Sequence, residues 1–304
     1  MLTQVLALNM TFHPDTLPTL KGKVFIVTSG NSGIGYYTVS HLAEHGAHVY
    51  MCARSPKKGT EAITNIKKTY PLANIDLLQI DLTRVVAAAK HFLALETSLH
   101  SLVNNAGIMA TPFEMTKDGH KAKWQTIYLS HWVSTEHLLP LMLRTSKTLS
   151  PGSVRIVNLT SSGHLIAPKG GINWRTCRSK IAAHGRATDR ASSPIFCTPR
   201  RYIRRTAPAP PARKGEGEIW VSSVHPGMVE TNLATSVWES GSSISSVISV
   251  MRMVGLIWPA DKGSWTSLYC AASRNMKAEQ SGTYMEISKR FGEPRWQSGA
   301  SKDE

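Results

Sequence analysis

A strand-like run, VFIVT at residues 24–28, opens directly onto Ser29-Gly30-Asn31-Ser32-Gly33-Ile34-Gly35, and a helix-forming stretch continues to about residue 45. β-Branched residues favour a buried strand. The glycines that follow let the backbone turn sharply and let a ligand approach it closely. The helix that starts there offers free N–H groups and the positive end of its dipole. Ordinary turns are also glycine-rich. The position of this one, between a strand and a helix near the start of the chain, points to a dinucleotide phosphate loop.

The rest of the chain repeats the strand–helix alternation. Further strands are expected at 47–52, 75–80, 101–104, 154–159 and 219–224, with helices at 57–69, 85–97 and 121–144. Gly46 closes the first helix. Alternation of this kind gives an α/β fold: a Rossmann-type, doubly wound parallel sheet with right-handed crossovers. With 304 residues, the expectation is one domain over 21–304, preceded by an N-terminal extension at 1–20. A helix-like stretch at 261–273 and a short strand near 282–287 complete the reading.

Composition narrows the functional classes. The net charge of +15 suggests nucleic acid or a membrane surface until its distribution is read. Residues 174–214 hold eleven Lys/Arg against one acid, a net of +10, so the remaining chain carries only +5. The four cysteines, Cys52, Cys177, Cys197 and Cys270, have neither CxxC nor metal-type spacing, which fits a reducing compartment and a cytoplasmic protein. The opening MLTQVLALNMTFHPD lacks a basic region and a long apolar core, so it is not read as a signal peptide. No stretch approaches the roughly 18 apolar residues of a membrane span.

Three motifs in order carry a family resemblance. Thr28-Ser29-Gly30-Asn31-Ser32-Gly33-Ile34-Gly35 resembles the TGxxxGxG loop of short-chain dehydrogenases/reductases. Asn104-Asn105-Ala106-Gly107 resembles their NNAG motif, and His225-Pro226-Gly227-Met228-Val229-Glu230-Thr231 their PG…T segment. The likeness covers roughly 20–173 and 215–290, and is closest to retinol-dehydrogenase-like members and their fungal relatives in secondary metabolism. It implies that Ser29, Gly30, Ser32, Gly33, Ile34 and Gly35 form the cofactor loop. It also implies that Asp81 contacts the adenine, that Asn105 lines the ribose, that Gly107 is among the cofactor-binding residues, and that the Val229 and Thr231 region holds the carboxamide. Ser29 stands where the family has its first glycine, and Gly30 next to it is expected to rescue the turn.

An acid at the end of the second strand would accept from a ribose 2′-OH and select NAD. Here the chain reads Cys52-Ala53-Arg54-Ser55, with Lys57 and Lys58 behind. A cation at Arg54 suits a 2′-phosphate through charge-assisted hydrogen bonds, so the expected cofactor is NADP(H).

The family's catalytic set is Ser, Tyr and Lys with a supporting Asn, acting as a general acid–base with a tuned pKa. Ser161, in Asn158-Leu159-Thr160-Ser161-Ser162, matches the Ser. The Asn position, in Ile127-Tyr128-Leu129-Ser130-His131, holds Ile127. No Tyr-x-x-x-Lys is present: Tyr202 has Thr206 four residues on, and Lys180 has Thr176 four residues before it. Residues 186–199 nevertheless admit codons that, read from the third base, spell Arg-Tyr-Gly-Gln-Ser-Lys-Leu-Ala-Asn-Ile-Leu-Tyr-Ala. That string resembles the family's catalytic helix. Residues 174–214 are therefore expected to be out of frame, which also accounts for their basic, Pro-rich character. A natural disordered basic insertion is the alternative.

Residues 232–259 are apolar and fall where the family covers its substrate, which implies a small hydrophobic alcohol or ketone. Two rival readings stand beside the oxidoreductase. One is a cofactor-binding pseudoenzyme, since the Tyr and Lys are missing. The other is a nucleic-acid binder using RRYIRR; the basic segment has few aromatics and no recognisable binding module, so no nucleic-acid partner is expected. The family's catalytic helix is also its usual dimer surface, which leaves a homodimer open.

Overall fold

Seven strands pair in parallel in the order β3-β2-β1-β4-β5-β6-β7. They are β1 (Val24–Val27), β2 (His48–Ala53), β3 (Asn74–Gln79), β4 (Ser101–Asn104), β5 (Val154–Leu159), β6 (Ile219–His225) and β7 (Tyr284–Glu286). The computed structural model describes residues 12–80, 84–108, 113–161, 217–230 and 257–286. The basic, Pro-rich segment at 174–214, most of the stretch at 232–259 expected to cover the substrate, Asp81 and Thr231 lie outside the described residues.

Five principal helices cover the two faces: α1 (Gly33–Glu44), α2 (Pro56–Thr69), α3 (Val85–Leu95), α5 (Ser130–Lys147) and α6 (Ala260–Ala272). Each predicted helix forms, with ends shifted by no more than three residues. The stretch expected as one long helix carries a register fault. A short α4 (Ala122–Trp124) runs into a π-helical turn, Gln125–Leu129, before α5 begins. There the Ser130 N–H reaches back five residues to the Gln125 carbonyl. π-Turns inside helices frequently mark functional sites.

Strand residues alternate between two apolar layers. Val27, Val49, Met51, Val103 and Val157 face the layer that holds α1, α2 and α6. Ile26, Leu102, Ile156 and Val221 face α3 and α5. Burial on both faces is why these strands read as continuous apolar runs. Phe12, Leu17 and Leu20, from the end of the N-terminal extension, are buried in the first layer, and the Phe12 ring meets Tyr269 edge-on.

A buried cation ties α6 to the sheet. Arg155 on β5 donates from Nε to Gly152 O (2.7 Å), from Nη1 to Tyr269 O and Cys270 O, and from Nη2 to Ser273 O (2.8 Å). It supplies donors to carbonyls at the C-terminal end of α6, of which Tyr269 O also accepts the Ser273 N–H (3.2 Å). Its guanidinium lies 5.4 Å over the Trp220 ring.

Candidate functional site

Strand order reverses beside β1: β2 lies on one side and β4 on the other. In such sheets the crevice at the carboxyl ends of the strands is the usual ligand site. A cavity of about 450 Å³ opens there. Its walls come from the loop after β1, the end of β2, the loop after β4 and one face of the π-turn and α5.

The loop after β1 is held from behind. The Thr28 N–H donates to Val103 O (3.0 Å), and the Gly30 N–H to Cys52 O (3.0 Å). Ser29 takes φ +53°, and is the one non-glycine with positive φ among the described residues. Gly30 does not rescue the turn as expected. It is packed flat, with a Cβ there lying 2.9 Å from Met51 Cγ and Val39 Cγ2. Ser29 itself takes the left-handed conformation, at a steric cost glycine avoids. Gly33 follows at φ +54°. At Gly35 a Cβ would run into the Ser29 carbonyl oxygen and sit 2.6 Å from Asn105 Nδ2. Ser32 precedes α1 without making a side-chain cap, so the first-turn amides are left for a ligand.

The end of β2 builds a basic corner. Arg54 is exposed and lines the cavity with Ser55 and Lys58. Ser55 Oγ accepts from the Lys58 N–H (3.4 Å) and so caps α2, whose first position is Pro56. Gln79 Nε2 donates to Arg54 O, fastening β3 beneath it. Among the described residues no carboxylate pairs with Arg54 or Lys58.

The third wall follows β4. Asn105 Nδ2 donates to Thr28 O (2.8 Å), and the N–H groups of Asn105 and Ala106 both donate to Thr28 Oγ1 (2.8 and 2.9 Å). Gly107 lines the cavity, with nothing within 4 Å of where its Cβ would be. Behind this loop Asn104 Nδ2 donates to Asn158 Oδ1 (2.9 Å) and Thr135 Oγ1 (3.2 Å), joining β4, β5 and α5. From the helix side Thr126, Ser130, His131 and Ser134 complete the lining.

Of the site residues expected from the sequence, Ser29, Ser32, Arg54 and Gly107 line the cavity. Gly30, Gly35 and Asn105 pack around the loop after β1, and Gly33 and Ile34 open α1. Val229 pairs with Trp258 in a parallel bridge, and its methyls press on Gly263 of α6, as does Ile34. Ser161 follows β5 directly and is exposed, and the Thr160 N–H extends the ladder to Val224 O (2.7 Å). Sequence reasoning did not single out Thr28, Ser55 or His131 as site residues, nor Gly263. Thr28, Ser55 and His131 stand inside the quoted motifs without being assigned a role, and Gly263 is an isolated glycine inside a helical pattern.

A groove with uncapped helix amides at one end, and beside it cations that no carboxylate among the described residues pairs, suits an elongated anionic ligand. The comparisons with known proteins agree with this architecture. The family model for short chain dehydrogenase matches residues 23–189. The short-chain dehydrogenase/reductase drtF of Aspergillus calidoustus is 42% identical over 280 residues, spanning 89% of this chain and 86% of that one. Mouse retinol dehydrogenase 11 is 33% identical over 85% of this chain and 76% of its own. Among solved structures, the Pseudomonas aeruginosa RhlG/NADP active-site complex shares the fold at a TM-score of 0.67 and 20% identity, covering 92% of this chain and 100% of that one. With the phosphate-type loop, the parallel sheet and the crevice in their expected order, and with relatives this similar along most of its length, this chain belongs to the short-chain dehydrogenase/reductase family.

Proposed function

We propose that this chain is an NADP(H)-dependent oxidoreductase acting on a small hydrophobic alcohol or ketone, within secondary-metabolite biosynthesis of the polyketide or terpenoid kind. The observation that carries the cofactor choice is the corner of Arg54, Ser55 and Lys58, two cations without a carboxylate partner among the described residues. The cavity suits a dinucleotide. Gly107 leaves open space on its wall, and Ser32 leaves the first amides of α1 without a side-chain cap.

NADPH, when bound, supplies the hydride. The α1 amides and the loop at Ser29 and Ser32 hold its pyrophosphate. Arg54 and Lys58 hold the 2′-phosphate, and Asp81, Asn105 and Gly107 its adenosine and ribose. Val229 and Thr231 hold the carboxamide, and Ser161 steadies the substrate oxygen. The apolar residues at 232–259 cover the substrate.

The proton donor of this reaction is the tyrosine of the shifted frame. Residues 174–214 lie outside the described residues, and the family match stops at residue 189, inside them. A pseudoenzyme finds no support among these relatives, which carry dehydrogenase or reductase names. The test uses two purified proteins, the chain as written and a frame-corrected one. Each is titrated with NADPH and NADH and assayed for NADPH oxidation with a panel of hydrophobic ketones. Tight NADPH binding by both, with turnover at least about 100-fold faster in the corrected chain, supports the reading. Equal turnover sinks the frame argument, and a preference for NADH sinks the cofactor.

A further inference from the structure

His131 is a buried imidazole on the cavity wall, 9% exposed, and none of the roles above uses it. Its two nitrogens have different partners. Nδ1 lies 3.3 Å from the Ile127 carbonyl, in the π-turn, and Nε2 lies 3.1 Å from Thr28 Oγ1. The network decides the tautomer. Thr28 Oγ1 already accepts two amide N–H groups, from Asn105 and Ala106, which fills its acceptor capacity. Its one proton remains to be donated. Nε2 at 3.1 Å is a nearer acceptor than Val103 O at 3.4 Å. The Thr28 hydroxyl therefore donates to Nε2, and the imidazole proton sits on Nδ1, facing Ile127 O. Burial pushes the imidazole pKa down to about 4, so the ring keeps this neutral form at physiological pH.

The chain of bonds runs from the π-turn, through the imidazole and the Thr28 hydroxyl, to the amides of Asn105 and Ala106. Asn105 in turn donates to the Thr28 and Ser29 carbonyls. One ring thus reaches both loops that face each other across the cavity. We propose that His131 is a positioning residue, whose Nε2 acceptor locks Thr28 against the Asn105–Ala106 turn and so sets the two sides of the cofactor cleft before ligand enters. The inference rests on the dinucleotide reading of the cavity. It concerns a residue that acts through Thr28.

Three variants separate the hydrogen bond from packing. His131→Gln offers an acceptor near the Nε2 position, His131→Asn offers one only near Nδ1, and His131→Phe offers none. Two quantities are read: the NADPH dissociation constant, and hydrogen exchange of the Ala106 amide in the free protein. The expected result is about tenfold weaker NADPH binding in H131F and H131N, with H131Q within about threefold of wild type. Ala106 exchange should be faster in H131F and H131N alone. Thr28→Val should lose as much affinity, and T28V/H131F no more than T28V. Thr28→Val keeps the ring in place, and serves where H131F does not fold. NADPH affinity and Ala106 exchange unchanged in all variants, whatever their melting temperatures, would overturn the proposal. A wild type that binds no NADPH refutes the cofactor reading separately. Exchange then decides: faster Ala106 exchange confined to H131F, H131N and T28V supports the link, and uniform exchange overturns it.

Discussion

The carbonyl oxygen of Ser29 occupies the space that a Cβ on Gly35 would need, and Asn105 Nδ2 closes the same space from the other side at 2.6 Å. Both obstacles belong to the loops that build the cavity. The first is backbone, and the second, although a side-chain end, is held by its bond to Thr28 O (2.8 Å), so neither gives way cheaply. Gly35→Ala should therefore destabilise the fold by about 1–3 kcal/mol and weaken NADPH binding by more than about tenfold. Urea unfolding and a fluorescence titration check it. Unchanged values in both would mean that the loop moves freely.

Ser29 holds a left-handed backbone at φ +53°, which costs an L-residue about 1–2 kcal/mol. Glycine removes that strain but adds freedom to the unfolded chain, worth about 0.4–1 kcal/mol. Ser29→Gly should thus raise stability by about 0.5–1 kcal/mol. Gly30→Ala should do the reverse, because its Cβ would meet Met51 and Val39 at 2.9 Å. Thermal melts of the two variants, run together, give the comparison. A Ser29→Gly protein that melts lower would refute the strain argument.

Arg54 and Lys58 face the cavity without an acidic partner among the described residues. Their contribution to a dianionic 2′-phosphate should disappear for a ligand that lacks it. Arg54→Gln is expected to weaken NADPH binding about tenfold or more and to leave NADH binding within about twofold. Lys58→Gln should do the same to a smaller extent. Raising salt should narrow the gap between the two nucleotides. Equal losses for NADPH and NADH would place the 2′-phosphate elsewhere.

Two buried histidines should make the fold acid-sensitive. His100 Nδ1 accepts from the Val24 N–H (3.0 Å), and burial lowers its pKa to about 4, with the Lys23 charge adding to the effect. Burial does the same to His131. Each folded-state pKa lies below the unfolded value of about 6.5, so the unfolded chain binds the extra protons between the two. Stability should be fully present above about pH 6.5 and should fall as pH drops towards 4, by up to about 3 kcal/mol per histidine. Urea midpoints from pH 7 to pH 4.5 test this. His100→Gln, which keeps an acceptor for Val24, should flatten the slope by one proton. A slope unchanged in that variant would assign the acid loss to other groups.

Much of the molecule was legible in the chain itself. The apolar run ending at Thr28, the glycines behind it and the repeated alternation suffice for a parallel sheet with a phosphate-type loop at its switch point. These signals are local: each depends on neighbours within one strand, turn or helix. Arg54 was readable for the same reason, since the end of β2 lies in a known place once the first turn is placed.

What tertiary structure decided lies between residues far apart. The chain offers Gly30 as the obvious turn residue, yet Gly30 lies close against Met51 and Val39 and it is Ser29 that takes the left-handed conformation. His131 and Thr28 are 103 residues apart, and no periodicity announces a hydroxyl shared by an imidazole and two amides. Gly263 looks like a weak point in a helix until Val229 and Ile34 are found pressed against it. Hydrophobic pattern and turn chemistry specify elements, because they act along the chain. Loop geometry and a buried proton's position follow from contacts across the sheet, which exist only after those elements have packed.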